Sequence, residues 1–154
     1  IIAWVGDGNN MANSWIHASK IFNFKLRLAC PNERLPSPNI ISWARNNDVD
    51  IEITDDPLKA CKNSDAILTD TWVSMGDEEI INPKKIFKNF QVNEKLFEVA
   101  SDNAIFMHCL PAHRGHEVTS SIIDGPRSVV WDEAENRLHI QKAILSWTLA
   151  DKLI

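Results

Sequence analysis

Short apolar runs of strand length alternate along the chain with stretches whose apolar positions recur at helical spacing. Ile1 to Val5 reads as a buried strand, broken by Gly6-Asp7-Gly8-Asn9-Asn10. From Met11 to Phe22, the residues Ala12, Trp15, Ile16, Ser19 and Phe22 fall on one helical stripe. Lys25 to Cys30 reads as a second strand, Pro31 to Pro38 as a loop, and a helix runs through Ile40, Ile41 and Ala44. Asp50 to Thr54 is a short strand, and Asp56-Pro57 starts a helix that continues through Leu58 to Lys62. Ala66 to Thr69 and Ala104 to His108 are further strands, separated by two Lys-rich helical segments between Pro83 and Ala100. Val129 to Trp131 is predicted as one more strand. Asp132 to Leu153 is predicted as a terminal helix, with Leu138, Ala143, Ile144, Trp147 and Leu149 available to bury.

This alternation predicts an α/β fold: a Rossmann-like, doubly wound, mainly parallel sheet with helices on both faces. At 154 residues the chain has the size of one domain with a single sizeable core. In such sheets ligands sit outside the carboxyl ends of the strands. GDGNN follows the first strand, DTWVSMG the fourth and HCLPAHRG the fifth, so polar and reactive residues gather on one edge.

Composition removes several alternatives. The formal charge of -5, with no Lys/Arg cluster, speaks against nucleic acid as a partner. No apolar run is long enough to span a bilayer, and no basic-then-apolar leader is seen, so no membrane role and a cytoplasmic location are expected. Three cysteines, Cys30, Cys61 and Cys109, without CxxC spacing favour reduced thiols over a disulfide framework. The start on Ile1-Ile2-Ala3-Trp4-Val5, with no Met and no lead-in, reads as a cut at a domain boundary.

Each loop admits a plain and a chemical reading. GDGNN places glycines where a ligand can approach the backbone, but the third glycine of a dinucleotide fingerprint is replaced by Met11. Asn9 or Asn10 caps the next helix, and an asparagine amide there can also donate to a carboxylate. In DTWVSMG, Asp70 with Ser74 suits an ammonium group, and the backbone around Met75 suits a carboxylate; the alternative is an Asp cap and an ordinary loop. Cys109 next to His108 is a packing thiol, a substrate contact or a nucleophile, while a zinc site lacks a second thiol at ligand spacing. Cys30 and Cys61 read as structural, and His17, His113, His116 and His139 as surface or packing residues. Asp132-Glu133 reads as a solvated first turn that complements the helix dipole, with Arg137 able to point at an anion.

GDGNN, DTWVSMG, HCLPAHRG and DEAENR, in that order, together resemble the second domain of ornithine carbamoyltransferases over essentially the whole chain. SMG and HCLP resemble the ornithine enzymes rather than the aspartate enzymes of that superfamily. The resemblance implies that residues 1–154 form the domain binding L-ornithine. Asn10 and the Met75 backbone would hold the α-carboxylate, and Asp70 and Ser74 the α-amino group. Cys109 and the Leu110 backbone would lie beside the reacting δ-amine, Arg137 would reach carbamoyl phosphate, and His108 would support the loop. Carbamoyl transfer to ornithine, giving citrulline and phosphate, would need no metal or organic cofactor. The Ser-Thr-Arg-Thr and His-Pro-x-Gln segments of the family's carbamoyl phosphate domain are absent, so the fragment alone is expected to be inactive. Family enzymes are homotrimers built largely through that domain, which leaves the fragment free to be monomeric. His116 stands where family members often carry Glu. Two other readings stay open: a non-catalytic or regulatory amino-acid-binding relative, and a nucleotide-dependent oxidoreductase with a degenerate glycine loop.

Overall fold

The computed structural model describes residues 1–73 and 82–149. Five parallel strands form one sheet in the order β3-β2-β1-β4-β5. They are β1 (Ile2–Val5), β2 (Leu26–Ala29), β3 (Ile51–Thr54), β4 (Ala66–Thr69) and β5 (Ile105–His108). The helices are α1 (Asn10–Phe22), α2 (Pro38–Asn46), α3 (Pro57–Cys61), α4 (Pro83–Phe87), α5 (Glu94–Val99), α6 (Ser120–Ile123) and α7 (Val130–Leu149).

The strands alternate their side chains between two cores, as the pleat requires. Trp4, Leu26 and Leu28 pack with Ala12 and Ile16 of α1 and Ile40 and Ala44 of α2. Ala3, Val5, Ile67 and Phe106 face the other way, against Cys61 of α3, Phe87 of α4, Phe97 of α5 and Ile122 of α6. Both faces are covered, as expected for a doubly wound sheet. The chain winds from β1 outward to β3, then returns to place β4 on the other side of β1. The direction of winding therefore reverses between β1 and β4, and the crevice opens there.

Local signals set the element ends. Asn9 caps α1 by accepting from the Met11 and Ala12 N–H groups, and Asp56 caps α3 through Leu58 and Lys59. Asn23, at φ 54°, closes α1 in the left-handed conformation.

Three expectations are corrected. Val129 to Trp131 is not a strand: α7 begins at Val130, and only a single bridge joins Ser128 to Phe106. A three-residue apolar run has too few positions to separate a strand from a helix start. Second, α7 is not buried along its length, since Leu138, Ile144, Trp147 and Leu149 are all exposed. Third, Phe22 lies at the end of α1 beyond its buried stripe and is also exposed. The four-residue α6 was not anticipated at all. No described helix is long and apolar enough to cross a membrane.

Candidate functional site

The ends of β1, β4 and β5 are neighbours, and the loops after them enclose an open cleft of about 600 Å³. Asn10, Asp70, Cys109 and Leu110 line it, together with Met11 and His113. Four residues singled out from sequence thus share one cavity. His108 lies beneath, buried, and Arg137 is exposed on α7, away from the cleft lining. Ser74 and Met75 lie outside the described residues.

Asp70 is the centre of the arrangement. It is 8% exposed and accepts three hydrogen bonds from three different segments. Its Oδ1 takes the Thr71 N–H at 2.8 Å and the Cys109 S–H at 3.3 Å, while its Oδ2 takes the Asn9 amide at 2.8 Å. Two carboxylate oxygens offer about four acceptor positions. Among the described residues, one acceptor position on Oδ2 is therefore left unfilled. The two asparagines divide the work: Asn9 caps α1 and orients Asp70, while Asn10 is exposed on the cleft wall.

The loop after β1 is fastened from behind. Arg34 grips buried Asp7 through two contacts of 2.9 and 2.6 Å, and the Gly8 N–H donates to the Arg34 carbonyl at 2.8 Å. A Cβ on Gly8 would fall 2.3 Å from the Pro36 nitrogen, so only glycine allows this approach of two backbones. The glycine that resembled a dinucleotide signature is here a packing requirement.

The Cys109 thiol is pushed up to about 12, first by burial and then by the charge and hydrogen bond of Asp70. It is therefore a donor at neutral pH, not a thiolate. Asp70, His108 and Cys109 bring their ligand-type atoms within 4.8 Å of one another. Yet the thiol donates to Asp70, and His108 Nδ1 accepts the Leu110 N–H at 2.9 Å. A metal would have to displace both contacts, since it binds the thiolate and a free ring nitrogen. These three groups take part in hydrogen bonds, the thiol as donor and Asp70 and His108 Nδ1 as acceptors.

An expected result follows. Near pH 8 an ordinary cysteine is about one quarter thiolate, and Cys109 on the order of one part in ten thousand. Iodoacetamide should modify Cys109 at least about a hundredfold more slowly than a free thiol. Peptide mapping over time gives the rate, and rapid stoichiometric labelling of Cys109 would contradict the assignment.

Several residues packed around the cleft were not visible as such in the sequence. Glu133 is no solvated first-turn acid: its Oε2 accepts the His108 N–H at 2.9 Å, and burial raises its carboxyl above the usual range. Glu117 is fully buried below the HCLP loop. His113 reaches the cleft, and His116 stacks on Trp72 at 5.8 Å, while Phe87 stacks on the same indole at 5.6 Å. This stack ties the segment after β4 to the loop after β5. Nothing in HRGHEV distinguishes a buried Glu from a surface one; only the fold does.

Residues 1–148 match the family described as aspartate/ornithine carbamoyltransferase, Asp/Orn binding domain. The chain belongs to the aspartate/ornithine carbamoyltransferase family. Among carbamoyltransferase relatives, the ornithine carbamoyltransferase of Brucella abortus (strain 2308) is 53% identical over 150 residues, covering 97% of this chain and 48% of that protein. The ornithine carbamoyltransferase of Rhodopseudomonas palustris (strain BisA53) is 52% identical over 146 residues, with 95% and 47% covered. The solved anabolic ornithine carbamoyltransferase of Campylobacter jejuni superposes with a TM-score of 0.91 at 38% identity, over 98% of this chain and 52% of that one. The Pyrococcus furiosus ornithine carbamoyltransferase gives 0.86 at 47% identity, over 94% and 48%. The chain thus spans about half the length of the carbamoyltransferases it matches.

Proposed function

We propose that residues 1–154 are the ornithine-binding half of an ornithine carbamoyltransferase. One observation carries the reading: Asn10, Asp70, Cys109 and Leu110 line a single cleft at the winding reversal, in a chain of the Asp/Orn-binding family. In this reading Asp70, with Ser74, holds the α-ammonium, while Asn10 and the Met75 backbone hold the α-carboxylate. Cys109 and the Leu110 backbone flank the δ-amine.

The δ-amine must be neutral to attack the carbamoyl carbon of carbamoyl phosphate. Attack forms the N–C bond, the carbamoyl C–O bond breaks, and the proton shed by the amine leaves with phosphate, so that citrulline is the product. A neutral thiol beside that amine adds no negative charge that would favour the ammonium form. Cys109 thus serves position and electrostatics, and forms no covalent intermediate. Arg137, off the cleft, would meet carbamoyl phosphate only where a second domain brings that substrate across.

Helix α7 supports the missing half. At 100° per residue, Trp131, Leu138, Leu145 and Leu149 form one apolar stripe, and Ile140, Ile144 and Trp147 form another on the opposite side. All seven are exposed. A helix apolar on two sides is built to be enclosed. In this proposal its cover is the carbamoyl phosphate half, in keeping with relatives twice as long.

The test compares the protein containing both halves with the 154-residue chain. The longer protein should form citrulline from ornithine and carbamoyl phosphate, and the chain alone should form none. Trp131 and Trp147 emission should lie further to the blue in the longer protein. Citrulline from the chain alone, or none from the longer protein, overturns the proposal.

A further inference from the structure

Behind the cleft lies a buried pair that the proposed reaction does not use. Glu117 is 0% exposed and His108 is 1% exposed. Because His108 Nδ1 accepts the Leu110 N–H, the ring proton must sit on Nε2. That Nε2 faces Glu117 Oε1 at 3.4 Å, and the same oxygen accepts the His113 N–H at 2.5 Å. Among the described residues, His108 Nε2 makes no hydrogen bond, so Glu117 Oε1 meets it as a charged neighbour rather than a bonded acceptor, and Glu117 Oε2 has no partner either. A buried carboxylate is costly to desolvate, so its retention here calls for a reason.

The loop it holds supplies that reason. Leu110 adopts φ 55°, a left-handed conformation that a leucine rarely takes and that its surroundings must enforce. The Leu110 amide is held by His108 Nδ1, and the His108 amide by Glu133. Glu117 spans the loop from His108 at its start to His113 near its end. Leu110 and His113 both line the cleft.

We propose that Glu117 is a positioning residue for the reaction. It selects the Nε2–H tautomer of His108, leaving Nδ1 free to hold the Leu110 amide, and so fixes the backbone that flanks the reacting amine. This rests on the ornithine reading for its kinetic consequence, though not for the tautomer itself.

Glu117→Gln keeps an acceptor oxygen, which the His113 N–H orients, and should leave ornithine kcat/KM within about threefold of wild type. Glu117→Leu removes the acceptor and should lower it by about thirtyfold, mainly through the KM for ornithine, with the KM for carbamoyl phosphate unchanged. Proton–nitrogen correlation spectra of the histidine rings should show His108 as the Nε2–H tautomer in wild type and E117Q, and as a mixture in E117L. If E117L does not fold, Glu117→Asp retracts the carboxylate and should give the same tautomer change with about a tenfold loss. The proposal is overturned by a folded E117L, or failing that an E117D, with wild-type tautomer or kinetics, and equally by a loss shared between both substrates. If the wild-type longer protein makes no citrulline, the ornithine reading fails, and the ring tautomer in wild type, E117Q and E117L alone decides the clamp.

Discussion

Replacing Asp70 by Asn in the protein containing both halves should lower kcat/KM for ornithine by about a thousandfold while barely changing the KM for carbamoyl phosphate. The substitution keeps the size of the side chain but not its capacity to accept. Oδ1 faces two donors, the Thr71 N–H and the Cys109 S–H, so the amide oxygen must settle there. The new NH2 then occupies the Oδ2 position, opposite the Asn9 amide. Asn9 cannot turn over to help, because its own oxygen is committed to capping α1 through Met11 and Ala12. Donor meets donor, at a cost of about 1–3 kcal/mol in a buried site. The position left for an incoming ammonium also becomes a donor, and the attracting charge disappears. Steady-state kinetics with each substrate varied in turn gives the result. Ornithine kcat/KM within tenfold of wild type would remove Asp70 from the centre of the site.

The same geometry explains what could be read before the fold was known. GDGNN, DTWVSMG and HCLPAHRG stand out because each interrupts an apolar strand with residues that turn, cap or ionise. A parallel sheet then brings the three strand ends to one edge. Asp70 and Cys109 were legible for that reason, and the resemblance gave them roles. Asn9 could be named as a cap but not as the partner of Asp70, because that contact joins residues 61 positions apart. Glu117 and Glu133 were illegible because a buried carboxylate looks like a surface one until its partners are known. The misreading of α7 has a related cause. Counting its apolar residues predicted burial, but they form two opposed stripes rather than one, and the sheet covers only the start of the helix at Val130.

Raising the pH from about 9 to about 12 should unfold the chain cooperatively. Cys30 and Cys61 are fully buried, and burial pushes each thiol from 9.0 up to about 12. Asp7 adds to the shift at Cys30, whereas Arg27 partly opposes it at Cys61. Below pH 9.0 both states carry protonated thiols, and their stabilising effect is fully present. Above it the unfolded chain releases protons that the folded chain retains. The unfolded state then binds fewer protons, and stability falls with pH by about 1.4 kcal/mol per unit for each buried thiol. Two such thiols remove on the order of 8 kcal/mol across the window, within the 5–15 kcal/mol that holds a typical domain together. Cys109 acts in the same direction, discounted because it is only half-buried. The exposed Lys59–Glu52 pair also weakens as pH rises through the raised Lys59 value. The chain contains no tyrosine, so no phenol titration obscures the window. Circular dichroism melts at stepped pH should show Tm falling steeply above about pH 9. Cys30→Ala and Cys61→Ala should each make that slope shallower, even where the small cavity lowers Tm at neutral pH. A Tm that stays level to pH 11, or slopes that neither substitution changes, would show that these two thiols do not set the alkaline limit.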